Sequence, residues 1–381
     1  MTDLLIYNAR IITPQTLLER GWLICRDGRI SAIGNGDPAR KPDKTAINAD
    51  GLTLLPGMID IHTHGAMGHD MMDAGRDEFI QLSQFYARHG VTSFLATTHP
   101  DTTDRITHTL ITVKNTLKHP DLGANLLGVH LEGPYLNKDY VAEGYQAHVR
   151  PANPIEGRDW LTRGVIKLIT LAPEIPANEW FIREAVAQGI TVSVGYSDAT
   201  YQQTRHALLL GLTHSTHTFN DMRPFHHHEV GVVGAVLEAN HITSELIADG
   251  VHVSDGAMRL LWMLKRPDKL VLVSASSALT GLGDGEFMLD GRPVHVMNGV
   301  ARLDNGDLAG SIITLDESLR RFMTSVDEPI DSVWQTVSLN PARAIHVAHR
   351  KGSVEIGKDA DLILVDKDMG VQKTLVMGRV V

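Results

Sequence analysis

Between residues 57 and 275, short apolar runs alternate with stretches of helical spacing, and this alternation constrains the fold more than any other feature of the chain. The runs are "GMIDIH" (57–62), "VTSFLATT" (91–98), "LLGVHLE" (126–132), "VIKLITLAPE" (165–174), "ITVSVGY" (190–196), "LTHSTHTF" (212–219), "SELIADGVH" (244–252) and "KLVLVSA" (269–275). Runs this short and this continuously apolar read as parallel strands buried on both faces. Helical segments fall between most of them, at 76–89, 103–118, 177–188, 199–210 and 255–265. Strands alternating with crossover helices predict an α/β chain, here a (β/α)₈ barrel. A turn-rich insert (281–310) and helices at 315–325 and 331–347 follow.

The two ends have a different character. "DLLIYNARIIT" alternates, "GWLICRDGRISAIG" is a hairpin around Asp27-Gly28, and "GSVEIGKDADLILVDKD" and "VQKTLVMGRVV" close the chain in the same style. Neither piece could bury a core alone, so they are expected to pair. The expected division is a small β-sandwich domain from 1–55 plus 348–381, around a barrel at 56–347.

A length of 381 residues accommodates both units. With 43% hydrophobic and 21% charged residues the composition is that of an ordinary soluble protein. A formal charge of −10, with no Lys/Arg-rich stripe, argues against nucleic acid as a partner. The single cysteine, Cys25, excludes an internal disulfide and any cysteine metal motif. The first residues lack a signal-peptide pattern, and no apolar stretch approaches the ~20 residues of a membrane span. A cytoplasmic location is therefore expected, with no membrane partner.

In a barrel of this kind chemistry sits at the C-terminal ends of the strands. Strand one ends in His62 and His64, and strand three in His130 and Glu132. Strand six carries His214 and His217, and strand seven runs into Asp249 and His252. Imidazole and carboxylate converging on one mouth are the ligand set of zinc or a similar divalent ion. The tract "RPFHHHEVG" (223–231) resembles a metal site less, because consecutive histidines on a loop point apart; it reads as an anion- or substrate-contacting loop. His206, His241, His346 and His349 have no such context and read as surface residues.

With these residues assembled, the chain resembles the amidohydrolase superfamily and, within it, the N-acetylglucosamine-6-phosphate deacetylases. The resemblance runs essentially end to end. It is carried by "LLPGMIDIHTHG", "GVHLEGPYLN", "ITLAPE", "THTFNDMRPFHHHEVGVVGAVL", "IADGVHV", "GDLAGSIITLDESLRRF", "SLNPARAIHV" and "KGSVEIGKDADLILVD". It implies the barrel with a small β-sandwich, a divalent metal (one zinc ion), and a homodimer. The implied reaction is hydrolysis of the acetamide of an amino-sugar phosphate. Glu132 and His217 are implied as metal ligands, with His62 and His64 as the strand-one pair. His252 is implied to polarise the substrate amide oxygen. Asn220 and Asp221 belong to the substrate-binding stretch, and either Gln146 or His148 to a covering loop.

Three positions depart from the family pattern. Tyr196 stands in "VGYSDAT" where the family has a metal-binding histidine, and a phenol with a pKa near 10 is a poor zinc ligand. Ala275 stands in "LVSASSALTG" where the family has its general acid/base aspartate, and alanine can neither ligate nor carry a proton. His228 occupies the position of the phosphate-contacting arginine and lacks the guanidinium's bidentate fork. Loss of a general base costs about 10²–10⁴ in rate. Three readings stay open: a weak or altered deacetylase, a catalytically impaired binder of a sugar phosphate or metabolite, and an amidohydrolase with another substrate.

Overall fold

The computed structural model describes residues 3–38, 41–119, 122–265 and 267–381. Eight parallel strands stand where the apolar runs predict them. They are β1 (Met58–Asp60), β2 (Val91–Thr97), β3 (Asn125–Glu132), β4 (Ile166–Leu171), β5 (Thr191–Val194), β6 (His214–Ser215), β7 (Thr243–Ile247) and β8 (Leu270–Val273). Each pairs in parallel with its chain neighbours from β1 through to β8. The seam between first and last is drawn together just beyond their ends. Ala275 donates its backbone N–H to His62 O at 2.9 Å, and His64 N donates to Ser276 O at 2.8 Å.

Helices cover the outside. Thr102 caps Thr103–Thr116 by accepting from Arg105 N, and Asn153 caps Pro154–Thr162 with proline in its first turn. That helix, and Gly231–Glu238, are additions to the segments read from periodicity. The expected helix at 331–347 is instead Ile330–Val333, a 3₁₀ turn Trp334–Val337 and Leu339–Ala344. Pro341 explains the break, since it has no N–H to donate and its ring would strike the Val337 carbonyl in a continuous helix.

The turn-rich insert also carries strands. It forms an antiparallel sheet of Gly285–Leu289, Arg292–Met297 and Val300–Leu303. Its two loops, Asp290-Gly291 and Asn298-Gly299, have positive φ throughout, the geometry of tight hairpins. Leu279, Val294, Val296, Ala301 and Ala309 give it a small core of its own.

Both termini contribute to one further sheet. Leu4–Ile12, Leu17–Arg26, Arg29–Asn35, Ile47–Asn48 and Thr53–Pro56 join Leu362–Val365, Val371–Val376 and Arg379–Val380. The two ends meet where Thr53–Pro56 runs antiparallel to Leu362–Val365. The Asp27-Gly28 turn has φ of 50° and 77°, which glycine adopts freely. Ile6, Leu23, Cys25, Leu54, Leu362 and Leu375 fill the core of this sheet. Among the described residues no helix is long and apolar enough to cross a membrane.

Candidate metal and active site

The barrel interior is layered. At the base Ile59, Leu95, Leu168, Ile247, Val271 and Val273 pack together over Ala342 and Ile345. Above them the filling turns polar. His130 Nε2 lies 2.7 Å from Thr170 Oγ1, which lies 2.6 Å from Thr216 Oγ1, which in turn lies 2.6 Å from Ser193 Oγ. Gly195 lets the fifth strand pass this layer, because a Cβ there would sit 2.7 Å from Thr170 Cγ2. The next residues upward form the mouth. Tyr196, His217 and Ala275, each just past a strand end, hold φ of 48°, 29° and 45°. Such left-handed backbone in non-glycine residues is characteristically concentrated at functional sites.

Four side chains meet at that mouth. The ligand atoms of His62, His64 and Glu132 all lie within 4.8 Å of one another. His62 Nε2 is 3.2 Å from His64 Nε2 and 3.2 Å from Glu132 Oε1. His217 Nε2 approaches the same Glu132 Oε1 at 3.7 Å. Glu132 Oε2 accepts a hydrogen bond from the Tyr196 hydroxyl at 3.2 Å and lies 3.5 Å from His64 Nε2. The Tyr196 ring stands edge-on to His217, centroids 4.8 Å apart.

The electrostatics follow from burying unlike charges together. Burial pushes the Glu132 carboxyl up, but the charge of His62, with those of His64 and His217, holds it well below the ordinary carboxylate range. Burial pushes His62 down, and the charges of Glu132 and Glu245 overcome that, raising it to about 10. His64 moves the other way, down to about 3, because burial outweighs its single carboxylate neighbour and the nearby histidines add to the effect. Burial, then Glu132 and Asp221, pushes the Tyr196 phenol far above 10, so it stays a neutral donor.

These residues fit a divalent ion. Glu132 Oε1 and His217 Nε2 are buried and face each other without a hydrogen-bond partner of acceptable geometry. Leaving buried polar atoms unpaired is costly. A cation accepted between nitrogen and oxygen donors satisfies all of them at once, and the donor set is the hard and borderline one that zinc takes.

The other expected residues are arranged around this centre. His252 Nδ1 lies 2.6 Å from Asp249 Oδ2, and Asp249 Oδ1 also accepts from the backbone N–H of His252 at 2.8 Å. Asn220 serves His217: its carbonyl meets His217 Nδ1 at 3.1 Å and its amide donates to His217 O at 3.2 Å. Asp221 follows with φ of 53° and is exposed at the mouth. His214 turns away from the mouth, to Glu245 at 3.2 Å. His228 lies on the exposed loop, where the rings of His226, His227 and His228 pack on one another. Gln146 and His148 lie in the 3₁₀ segment Glu143–His148; the Gln146 amide donates to Val141 O, inside its own loop.

Sequence reading missed Glu245. It sits on β7, fully buried, with Oε2 2.9 Å from His62 Nδ1 and Oε1 3.2 Å from His214 Nε2. The signal was present, as a lone charged residue within the short strand run "SELIA".

The chain is similar to known proteins over its whole length. Residues 53–381 match the model of the amidohydrolase family. An N-acetylglucosamine-6-phosphate deacetylase of Bacillus subtilis is 35% identical, over 99% of this chain and 97% of its own. The crystal structure of the deacetylase of that name from Pasteurella multocida superposes with a TM-score of 0.93, at 31% identity and complete coverage of both chains. A variant of the Mycobacterium smegmatis deacetylase, solved with N-acetyl-D-glucosamine-6-phosphate, gives 0.91 at 29% identity, over 100% of this chain and 99% of that one.

Proposed function

The chain belongs to the amidohydrolase family, and from that premise we propose that it hydrolyses the acetamide of an N-acetylated hexosamine 6-phosphate, releasing acetate and the free amine. One observation carries the reading. His62, His64 and Glu132 converge at the barrel mouth with His217 beside them, in a chain that aligns end to end with deacetylases.

His62, His64, Glu132 and His217 would hold one zinc ion. When bound, such an ion polarises the amide carbonyl and lowers the pKa of water so that it attacks near neutral pH. The rest is the work of side chains. Asp249 holds Nδ1 of His252 and fixes its ring, which in the doubly protonated form donates Nε2–H to the amide oxygen as charge develops there. Ala275 supplies no base. Asp221, on the strand-six loop that also carries His217, takes the proton from the attacking water and returns it to the departing nitrogen. Asn220 keeps His217 turned to the centre, while His228, and Gln146 or His148, face the sugar phosphate.

The test is acetate release from N-acetylglucosamine 6-phosphate and its C4 epimer, by the chelated protein and by the protein resupplied with Zn²⁺. Metal-dependent release supports the reading; release no faster than buffer with both sugars removes it. The second reading, a binder without turnover, is favoured by Ala275. Saturable binding of the sugar phosphate without acetate would establish it.

A further inference from the structure

Glu245 has no part in the reaction above, yet its carboxylate contacts the ring of one metal-binding residue, His62, and the backbone of another, His217. Its carboxylate is buried at the level of the ligands. Oε2 faces His62 Nδ1 at 2.9 Å and also accepts the backbone N–H of His217 at 3.2 Å. Oε1 faces His214 Nε2 at 3.2 Å. The backbone carbonyl of Glu245 accepts from Thr218 N at 2.9 Å, tying the segment after His217 to the same strand. One residue of β7 therefore touches the strand-one ligand through its ring and the strand-six ligand through its backbone.

The consequence at His62 is chemical as well as steric. A carboxylate can only accept, so the ring nitrogen it faces must carry the hydrogen. With Nδ1–H given to Glu245, Nε2 is the nitrogen left for an ion, which would replace the hydrogen now held against Glu132 Oε1 at 3.2 Å. Histidine ligands commonly need such an acceptor behind them to fix ring orientation and raise donor strength. His130 cannot do this for His62. Its ring stands edge-on at 4.7 Å, and its nitrogens are directed to Thr97 and Thr170.

We propose that Glu245 is a positioning residue of the metal centre, selecting the Nδ1–H form of His62 and holding its Nε2 toward the ion while it anchors the backbone of His217. The proposal rests on the metal reading above. It adds that the strand-one pair binds well only with a carboxylate on β7 behind it. His214 then serves as the counter-contact that keeps the carboxylate from rotating.

The experiment measures Zn²⁺ affinity of the full-length wild type and Glu245→Gln by competition with a chromophoric chelator, with the visible spectrum of the Co²⁺ forms alongside. A carboxamide can offer only one acceptor atom to its two histidines. Glu245→Gln is expected to bind zinc about 10–100-fold more weakly, as loss of such outer partners does, and to change the Co²⁺ spectrum. In a His62→Ala background the same substitution is expected to change affinity much less, which a merely structural role would not produce. Equal affinity of wild type and Glu245→Gln overturns the proposal and leaves the metal reading standing; a wild type that takes up no metal overturns both. If the variant does not fold, ¹⁵N NMR of histidine in the zinc-loaded wild type decides. Hydrogen on Nδ1 of His62 supports the proposal, and hydrogen on Nε2 overturns it.

Discussion

The Tyr196 hydroxyl donates to Glu132 Oε2 at 3.2 Å, occupying the carboxylate oxygen that faces away from His62 and His217. A neutral phenol there draws charge from a ligand without contributing a lone pair of its own. The centre is thereby left to depend on His62 and His64. Tyr196→His would add an imidazole and release Glu132 Oε2. We expect zinc affinity to rise at least ~10-fold, on the scale of changes near metal ligands, read by chelator competition. Unchanged affinity would mean that position 196 does not reach the ion.

Ala275→Asp should restore a proton carrier. The alanine already holds left-handed backbone with φ of 45°, which aspartate tolerates better than alanine does. The melting temperature should therefore not fall. Acetate release should rise by about 10²–10⁴, the usual worth of a positioned general base. A stable variant that is no faster would place the limiting step elsewhere.

Asp221→Asn probes the carboxylate proposed to act in its place. In the wild type kcat should drop about 100-fold or more with zinc affinity retained. In the Ala275→Asp background the same change should cost far less, since two groups serving one proton are not additive. Equal losses in both backgrounds would assign Asp221 to substrate binding alone.

Cys25 reports on the terminal sheet. It is buried, and burial pushes its thiol up from 9.0 to about 12. Ellman's reagent should react with the native protein only as fast as that sheet opens, and fully in denaturant. A raised native pKa gives stability that is complete below pH 9 and lost as pH climbs toward 12. Rapid labelling of the native protein at pH 8 would show the sheet to be open.

How much of this was legible in the sequence depends on which residues carry it. The eight strands were, because a parallel strand covered on both faces must be apolar throughout, as Val91–Thr97 is. His62, His64, Glu132 and His217 were, because strand-end positions of a barrel share one mouth. The strands at 285–303 were missed although Asp290-Gly291 and Asn298-Gly299 are hairpin dipeptides, because each strand is only four to six residues long. His214 was read with His217 as if both faced the mouth. Only the paired contacts with Glu245 show that it turns inward. Glu245 itself is invisible to any reading of strand ends, since it lies within β7 and acquires its meaning from residues far away in the chain.

In the proposed centre the strand-one histidines, with Glu132, hold the ion. The most direct measurement is equilibrium dialysis of chelated protein against Zn²⁺, comparing wild type with the His62→Ala/His64→Ala double variant, whose fold is checked by circular dichroism. One ion should bind per wild-type chain, and none should be retained by the folded double variant under the same conditions. A folded double variant that still binds one ion as tightly as wild type would contradict it.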